Sequence, residues 1–168
     1  DDGLTNRYDW IDSYFSRLFD VRADFVLSEK DSLQFSLGQV EGVTQLGRLI
    51  PGTSQSNPYN PIRGLRQTDT YVQLLWRRVL SPASDFHLRY SYVADKSNDA
   101  FTVPLGGNQI FYVNQSGDEG MRHELELQHS LKLVEMARLV WGASWRDDAM
   151  RSAWALPGQG GVHRQVSR

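Results

Sequence analysis

Apolar and polar residues alternate along most of this chain, and short turns alternate with long polar connections. Between residues 121 and 131, Leu125, Leu127 and Leu131 share one parity while Glu124 and Glu126 have the other. A period of two places successive side chains on opposite sides of a β-strand. A helix would instead repeat its apolar residues every three or four positions. The pattern therefore predicts β-strands and no helix here.

Three segments of this kind form predicted hairpins. Their strands are residues 14–27 with a strand from 32, residues 69–80 with 85–96, and residues 121–131 with 137–146. The short turns are residues 28–31, 81–84 and 132–135, and the long polar connections are 44–68, 97–120 and 148–168. Glycine and proline punctuate those connections, which indicates irregular structure. We predict an all-β fold: an antiparallel meander of about six strands (three hairpins), part of a transmembrane β-barrel.

The alternation also predicts which residues share a side of the sheet. One side should carry Phe35, Leu74, Trp76, Leu88, Tyr90, Leu125, Leu127, Leu139 and Trp141. The other should carry Arg22, Asp24, Arg89, Glu124, Glu126 and Arg138, which a barrel would present to its lumen. The three turns should lie at one end of the sheet, and the long connections 44–68 and 97–120 should lie at the other.

Composition narrows the function classes. The chain has 168 residues, a formal net charge of −2 and no cysteine. Near-neutral charge argues against a nucleic-acid partner, and the lack of cysteine excludes disulfides, thiolate metal sites and cysteine nucleophiles. No apolar run approaches the roughly 20 residues of a membrane-spanning helix, although alternating strands can cross a bilayer without one.

Four stretches of the sequence resemble the barrel of TonB-dependent outer-membrane receptors. They are residues 22–33, residues 75–90, HELELQH at residues 123–129 and LVWGASWR at residues 139–146. Their order and spacing carry the likeness, which covers most of the chain outside the long connections. The resemblance implies import of a scarce nutrient, such as an iron chelate (siderophore) or cobalamin, across the bacterial outer membrane.

The same resemblance implies partners that this chain does not supply. Residues 1–168 are expected to be a partial receptor β-barrel domain, with no plug domain and no TonB box near Asp1. About six strands cannot close a barrel of roughly 22 strands. We therefore expect a fragment from the middle of a barrel, with outer-membrane lipid, the remaining barrel and a plug domain as partners. TonB would engage through an N-terminal part outside this chain.

Catalytic and metal chemistry find little support in the sequence. His123 and His129 share a parity, but six residues of strand separate them by about 20 Å, too far for one ion. The serines lack a nucleophile-elbow context, and Gly158–Gly161 neither follows a strand nor opens a helix. We expect no catalytic residue, no metal, no cofactor and no enzymatic activity.

Aromatic residues divide between the strands and the long connections. Trp76, Tyr90, Tyr92, Trp141 and Trp145 suit an aromatic girdle at a membrane boundary, or ordinary packing on a sheet face. The best candidates for contacting an external ligand are Tyr59, Phe101, Phe111, Tyr112 and Trp154, although contacts between the connections would account for them equally well.

Two other functions stay open at this stage. A passive porin-like channel would share the barrel wall without energised uptake. A soluble antiparallel β-domain that binds a ligand would cover its apolar face with a second layer and would need no detergent.

Overall fold

The structure is a computed structural model that describes residues 13–107, 109–152 and 162–167. Its strands are β1 (Tyr14–Val26), β2 (Asp31–Leu46), β3 (Arg63–Ser81), β4 (Ser84–Asn98), β5 (Ala100–Gly106), β6 (Gln109–Asn114), β7 (Asp118–Val134), β8 (Ala137–Ser152) and β9 (Val162–Ser167). The all-β fold predicted from the alternating pattern is confirmed.

The long strands form one antiparallel sheet in the order β1-β2-β3-β4-β7-β8-β9, and β5 and β6 form a separate two-stranded sheet. The hairpins β1–β2, β3–β4 and β7–β8 are the three predicted from the sequence, so the meander of about six strands is confirmed. The short strand β9 adds one edge strand beside β8. The sheet is not closed, and the barrel stays a prediction.

The three short turns lie at the same end of the sheet, as predicted. Backbone hydrogen bonds join neighbouring turns: the Val79 amide donates to the Lys30 carbonyl at 2.8 Å, and the Lys132 amide donates to the Ala83 carbonyl at 2.7 Å. The connections 47–62 and 99–117 leave from the opposite end because all pairings in the main sheet are antiparallel. We call these two ends the turn end and the loop end.

The predicted bounds of the long connections were wrong. Strand pairing continues to Leu46 and resumes at Arg63, while β8 continues to Ser152 inside the polar stretch 148–168. Cross-strand partners hold these polar residues in the ladder, so polarity alone did not mark where the strands end.

The connection from β4 to β7 also contains the hairpin β5–β6, where the sequence analysis expected irregular structure. Phe101 pairs with Val113 and Val103 with Phe111. The sequence contained a signal for this hairpin, because Gly106-Gly107 between two β-prone segments is typical of a hairpin turn. Gly106 ends β5, and both glycines have positive φ. Pro104 is tolerated because this sheet has only two strands, so each has an open edge.

The connection 47–62 folds back on itself. The Ile50 amide donates to the Gln55 carbonyl at 2.8 Å, and the Asn57 amide donates to the Arg48 carbonyl at 2.9 Å. Gly47 starts this excursion with φ of 115°, and a Cβ there would overlap the backbone of Pro61. The segment is long but has its own hydrogen-bonded structure.

The main sheet is a single layer. No apolar side chain among the described residues is buried, and the buried side chains there are polar: Ser36, Asp99 and Ser130. A water-soluble sheet normally packs at least one face against another layer. None of the described segments forms a second layer over either face of this sheet.

The described residues include no helix long and apolar enough to cross a membrane.

Candidate functional site

The register assigns every strand residue to a side of the sheet. Directly paired residues point the same way, and the row Phe35, Leu74, Tyr90, Leu125 runs through four strands. Among the described pairings of the main sheet, register shifts occur only near the turns, at 79/81 and at 132/134. The residues predicted for one side therefore lie on one side, which we call the apolar face, and the six predicted charges lie on the other, which we call the charged face.

A continuous apolar band crosses the apolar face. On β7 the band extends from Met121 to His129, about 26 Å at roughly 3.3 Å per residue. Its side chains are open: Leu125 is 40% exposed and Trp141 is 52% exposed. Five of the band's other large apolar residues on strands β1, β7 and β8 are exposed as well: Phe19, Val21, Phe25, Met121 and Trp145. The band has the height of the outward apolar belt of a membrane barrel, about 25 Å.

Charged residues border the band at the loop end. The row just beyond Met121 on this face contains Lys96 and its partner Glu119, with Lys96 Nζ 2.6 Å from Glu119 Oε1, and Arg151 opposite Glu119. The Lys96 ammonium, which hydrogen-bonds to this carboxylate, holds the pKa of Glu119 below its ordinary value. The apolar band thus ends at this row.

Aromatic residues of the apolar face contact one another across neighbouring strands. Trp76 and Phe86 meet edge to face with ring centroids 5.1 Å apart. His129 and Trp141 do the same at 5.4 Å. Both pairs lie at the turn end of the band and contain two residues of the predicted aromatic girdle, Trp76 and Trp141; the girdle itself stays a prediction.

The two histidines of β7 are held by hydroxyl groups on β4. His129 Nε2 lies 2.8 Å from Ser84 Oγ, and His123 Nδ1 lies 2.9 Å from the Tyr90 hydroxyl. Within the part of the chain that the structure describes, no group of three His, Asp or Glu residues is placed to hold a metal ion.

Ion pairs cover the charged face. Arg122 Nε lies 2.6 Å from Asp148 Oδ1, and Arg146 also contacts Asp148, at 2.7 Å. Arg89 contacts Glu126 on the neighbouring strand. Three more of the predicted charges are paired: Arg22 with Asp24 at 3.1 Å on one strand, and Arg138 with Asp85 at 3.0 Å. Lining a lumen stays a prediction for this face.

A buried ion pair joins the two long connections at the loop end. Arg63 Nε donates to Asp99 Oδ1 at 2.6 Å, and Nη2 donates to Oδ2 at 3.2 Å. Asp99 is 2% exposed, and the Arg63 guanidinium lies 4.0 Å from the centroid of the Phe101 ring. Arg63 also donates to the Asn60 side chain at 2.7 Å. Neither residue was predicted from the sequence, because only the fold brings residues 36 positions apart together.

The five ligand-contact candidates do not form one cluster. Phe101 and Phe111 share one side of the β5–β6 hairpin and are half-buried, whereas Tyr112 lies on its other side and is exposed. Tyr59 is exposed in the connection 47–62, and Trp154 lies outside the described residues. Phe101 has a structural partner in Arg63, and contact with an external ligand stays a prediction for the set.

One carboxylate at the turn end of the charged face, which contacts two arginines, was also not predicted from the sequence. Asp85 lies between Arg138 on β8 and Arg77 on β3, with Arg77 Nη2 at 3.5 Å. Parity placed all three on one side, and parity was the only available signal, because strand order was needed to bring β3 and β8 to the same carboxylate.

No protein-family model, curated protein sequence or solved structure matches the chain.

Proposed function

We propose that this chain is a wall segment of an outer-membrane TonB-dependent receptor. Its apolar face would contact lipid, its charged face would line the lumen, and its loop end would face outside. The intact receptor would import a scarce nutrient such as an iron chelate (siderophore) or cobalamin.

One observation carries the proposal: a band of exposed apolar side chains about 26 Å long on one face of a single-layer sheet. In water this band would expose more contiguous apolar surface than monomeric soluble proteins normally show. In a bilayer the same band would contact the hydrocarbon core, and the charged row at Lys96 and Glu119 would lie at the level of the lipid headgroups.

The rest of the sheet agrees with that placement. Paired charges on the opposite face suit a hydrated interior. Short turns at one end and long connections at the other are the usual layout of outer-membrane barrels. The energised, TonB-dependent step rests only on the sequence resemblance.

Adjacent cysteines on opposite faces test the orientation. The chain contains no cysteine, so Ala143→Cys on the apolar face and Ser144→Cys on the charged face each introduce a single thiol. Both positions are exposed and both native side chains are small, which makes the two variants matched controls. With the chain folded into lipid bilayers, a water-soluble maleimide should label Ser144→Cys about tenfold faster or more, since hydrocarbon excludes the reagent.

Equal labelling of the two thiols in bilayers would contradict the membrane orientation. A chain that stays monomeric in plain buffer and labels equally there would favour the soluble ligand-binding domain. Nutrient uptake by cells that carry the intact protein distinguishes a receptor from a porin. Uptake through a receptor should stop when TonB is removed, and diffusion through a porin should not.

A further inference from the structure

We infer that the turn end of the charged face holds a binding site for a small carboxylate- or phosphate-bearing ligand, built from Arg77, Arg138 and His87 around Asp85. The inference deepens the proposed function and rests on it in one respect, that the charged face meets water.

The site is a depression of about 390 Å³ over four strands. Arg77 comes from β3, His87 and Asp85 from β4, and Arg138 from β8. Arg138 must reach across β7 to contact Asp85, and Ser130, the β7 partner of Asp85 in the register, is 5% exposed.

The charges in this depression do not balance. Asp85 alone faces two guanidinium groups, with Arg138 Nη2 at 3.0 Å and Arg77 Nη2 at 3.5 Å. Lys132, the direct cross-strand partner of Arg138, adds a third positive charge. The nearest carboxylate along the face, Glu126, is engaged by Arg89. Glu135 lines the adjoining depression together with Lys132, so the count is three positive charges against two negative ones.

The free hydrogen-bonding groups specify the ligand class. Each arginine contacts Asp85 through one nitrogen, and its side chain is more than half exposed, at 57% for Arg77 and 60% for Arg138. The remaining N–H donors form a planar fork that suits carboxylate or phosphate oxygens. Gln128 offers an amide at the same opening. An anion with two or more oxygens would bridge the two arginines. A neutral ligand would bind much more weakly, because it cannot form charge-assisted hydrogen bonds with both guanidinium groups.

Titration calorimetry on the whole chain in detergent micelles tests the site. The probes are inorganic phosphate and citrate in separate arms, with a neutral sugar as the control ligand. Arg77→Gln and Arg138→Gln should each weaken anion binding about tenfold, because each removes a charge-assisted hydrogen bond. Asp85→Asn should tighten binding several-fold, since it removes the competing carboxylate. Arg22→Gln, on the same face but paired with Asp24 on its own strand, should leave binding unchanged.

Several results would overturn the inference. They are the absence of binding by both anions, weaker binding after Asp85→Asn, or a loss after Arg22→Gln equal to that after Arg77→Gln. The arm that binds identifies a carboxylate or a phosphate ligand. Anion binding can fail while Ser144→Cys still labels faster than Ala143→Cys, and then only this inference falls. If the two thiols label alike, the proposed function fails independently of the anion result.

Discussion

At the scale of single residues, Gly38 shows how side-chain volume fixes a cross-strand contact. It lies between Asp20 on β1 and Tyr71 on β3 in the register. The Tyr71 ring extends over the glycine, and its hydroxyl donates a hydrogen bond to the Asp20 carboxylate. Three strands are thereby joined by a contact that requires position 38 to have no side chain.

Gly38→Ala should therefore destabilise the sheet. A Cβ at this position would overlap the Tyr71 ring and come within 2.9 Å of an Asp20 oxygen, so the ring must move and release its hydrogen bond. Overpacking of this kind costs about 1–3 kcal/mol. The free energy of unfolding by urea in detergent measures the cost.

The matched control repeats the change in a Tyr71→Ala background. With the ring removed, alanine at position 38 should be neutral or stabilising, because it restricts the unfolded chain more than glycine does. An equal loss of stability in both backgrounds would show that the ring is not the cause.

At the scale of elements, the two long connections are tied to each other. Arg63 at the start of β3 holds Asp99 just before β5, and both side chains are largely removed from solvent, at 14% and 2% exposed. Each connection also has internal pairing, through the bridges of residues 47–62 and the β5–β6 ladder. Polar loops that contain glycine and proline are expected to be the most mobile parts of a chain. The ion pair provides a specific restraint on that mobility.

Asp99→Asn should loosen both connections and leave the sheet intact. Removing one charge of a buried pair leaves the other without compensation, at a cost of about 3–5 kcal/mol. Hydrogen exchange of the Ile50 and Asn57 amides, which are bonded within the connection, should accelerate on the order of 100-fold.

Asp24→Asn provides the comparison, because it breaks the exposed pair with Arg22, whose side chains are 60% and 61% exposed. Exposed pairs contribute about 0–1 kcal/mol, so exchange should change little. Identical exchange in the wild type and Asp99→Asn would show that the connections hold without the buried pair.

At the scale of the whole molecule, a single-layer sheet has no interior of its own. No apolar side chain is buried in the described ranges, so the hydrophobic stabilisation that normally offsets chain entropy has to come from outside the sheet. The edge strand β1 also lacks a second neighbour among the described strands, and open edges recruit other strands.

The isolated chain should therefore aggregate in buffer and become monodisperse only with detergent or lipid, and it should transport nothing by itself. Sedimentation velocity with and without detergent measures this directly. Monomeric material that unfolds cooperatively in plain buffer would contradict the prediction and favour the soluble-domain alternative.

The alternation of apolar and polar residues predicted the hairpins and the two faces. The contrast between short turns and long connections predicted the common end of the turns. Each of these features depends only on residues close together in the sequence. These patterns could not locate Arg63 beside Asp99 or Arg77 beside Asp85, because those contacts depend on strand order. The β5–β6 hairpin could have been predicted from Gly106-Gly107, but the length and polarity of the whole connection favoured irregular structure. The polar ends of the strands were not predicted, because cross-strand partners in the ladder stabilise them.

The segment 99–117 leaves the sheet and returns to it at nearly the same point. The Ser97 hydroxyl bonds the carbonyl of Ser116 and accepts from the Asp118 amide at 3.2 Å, so the two ends of the segment are fastened together. The pairing of β4 with β7 below this point does not depend on the length or composition of the segment. Insertions, deletions and exchanges should therefore be tolerated in this segment while the sheet keeps its register, so evolution can vary the surface at the loop end without redesigning the sheet.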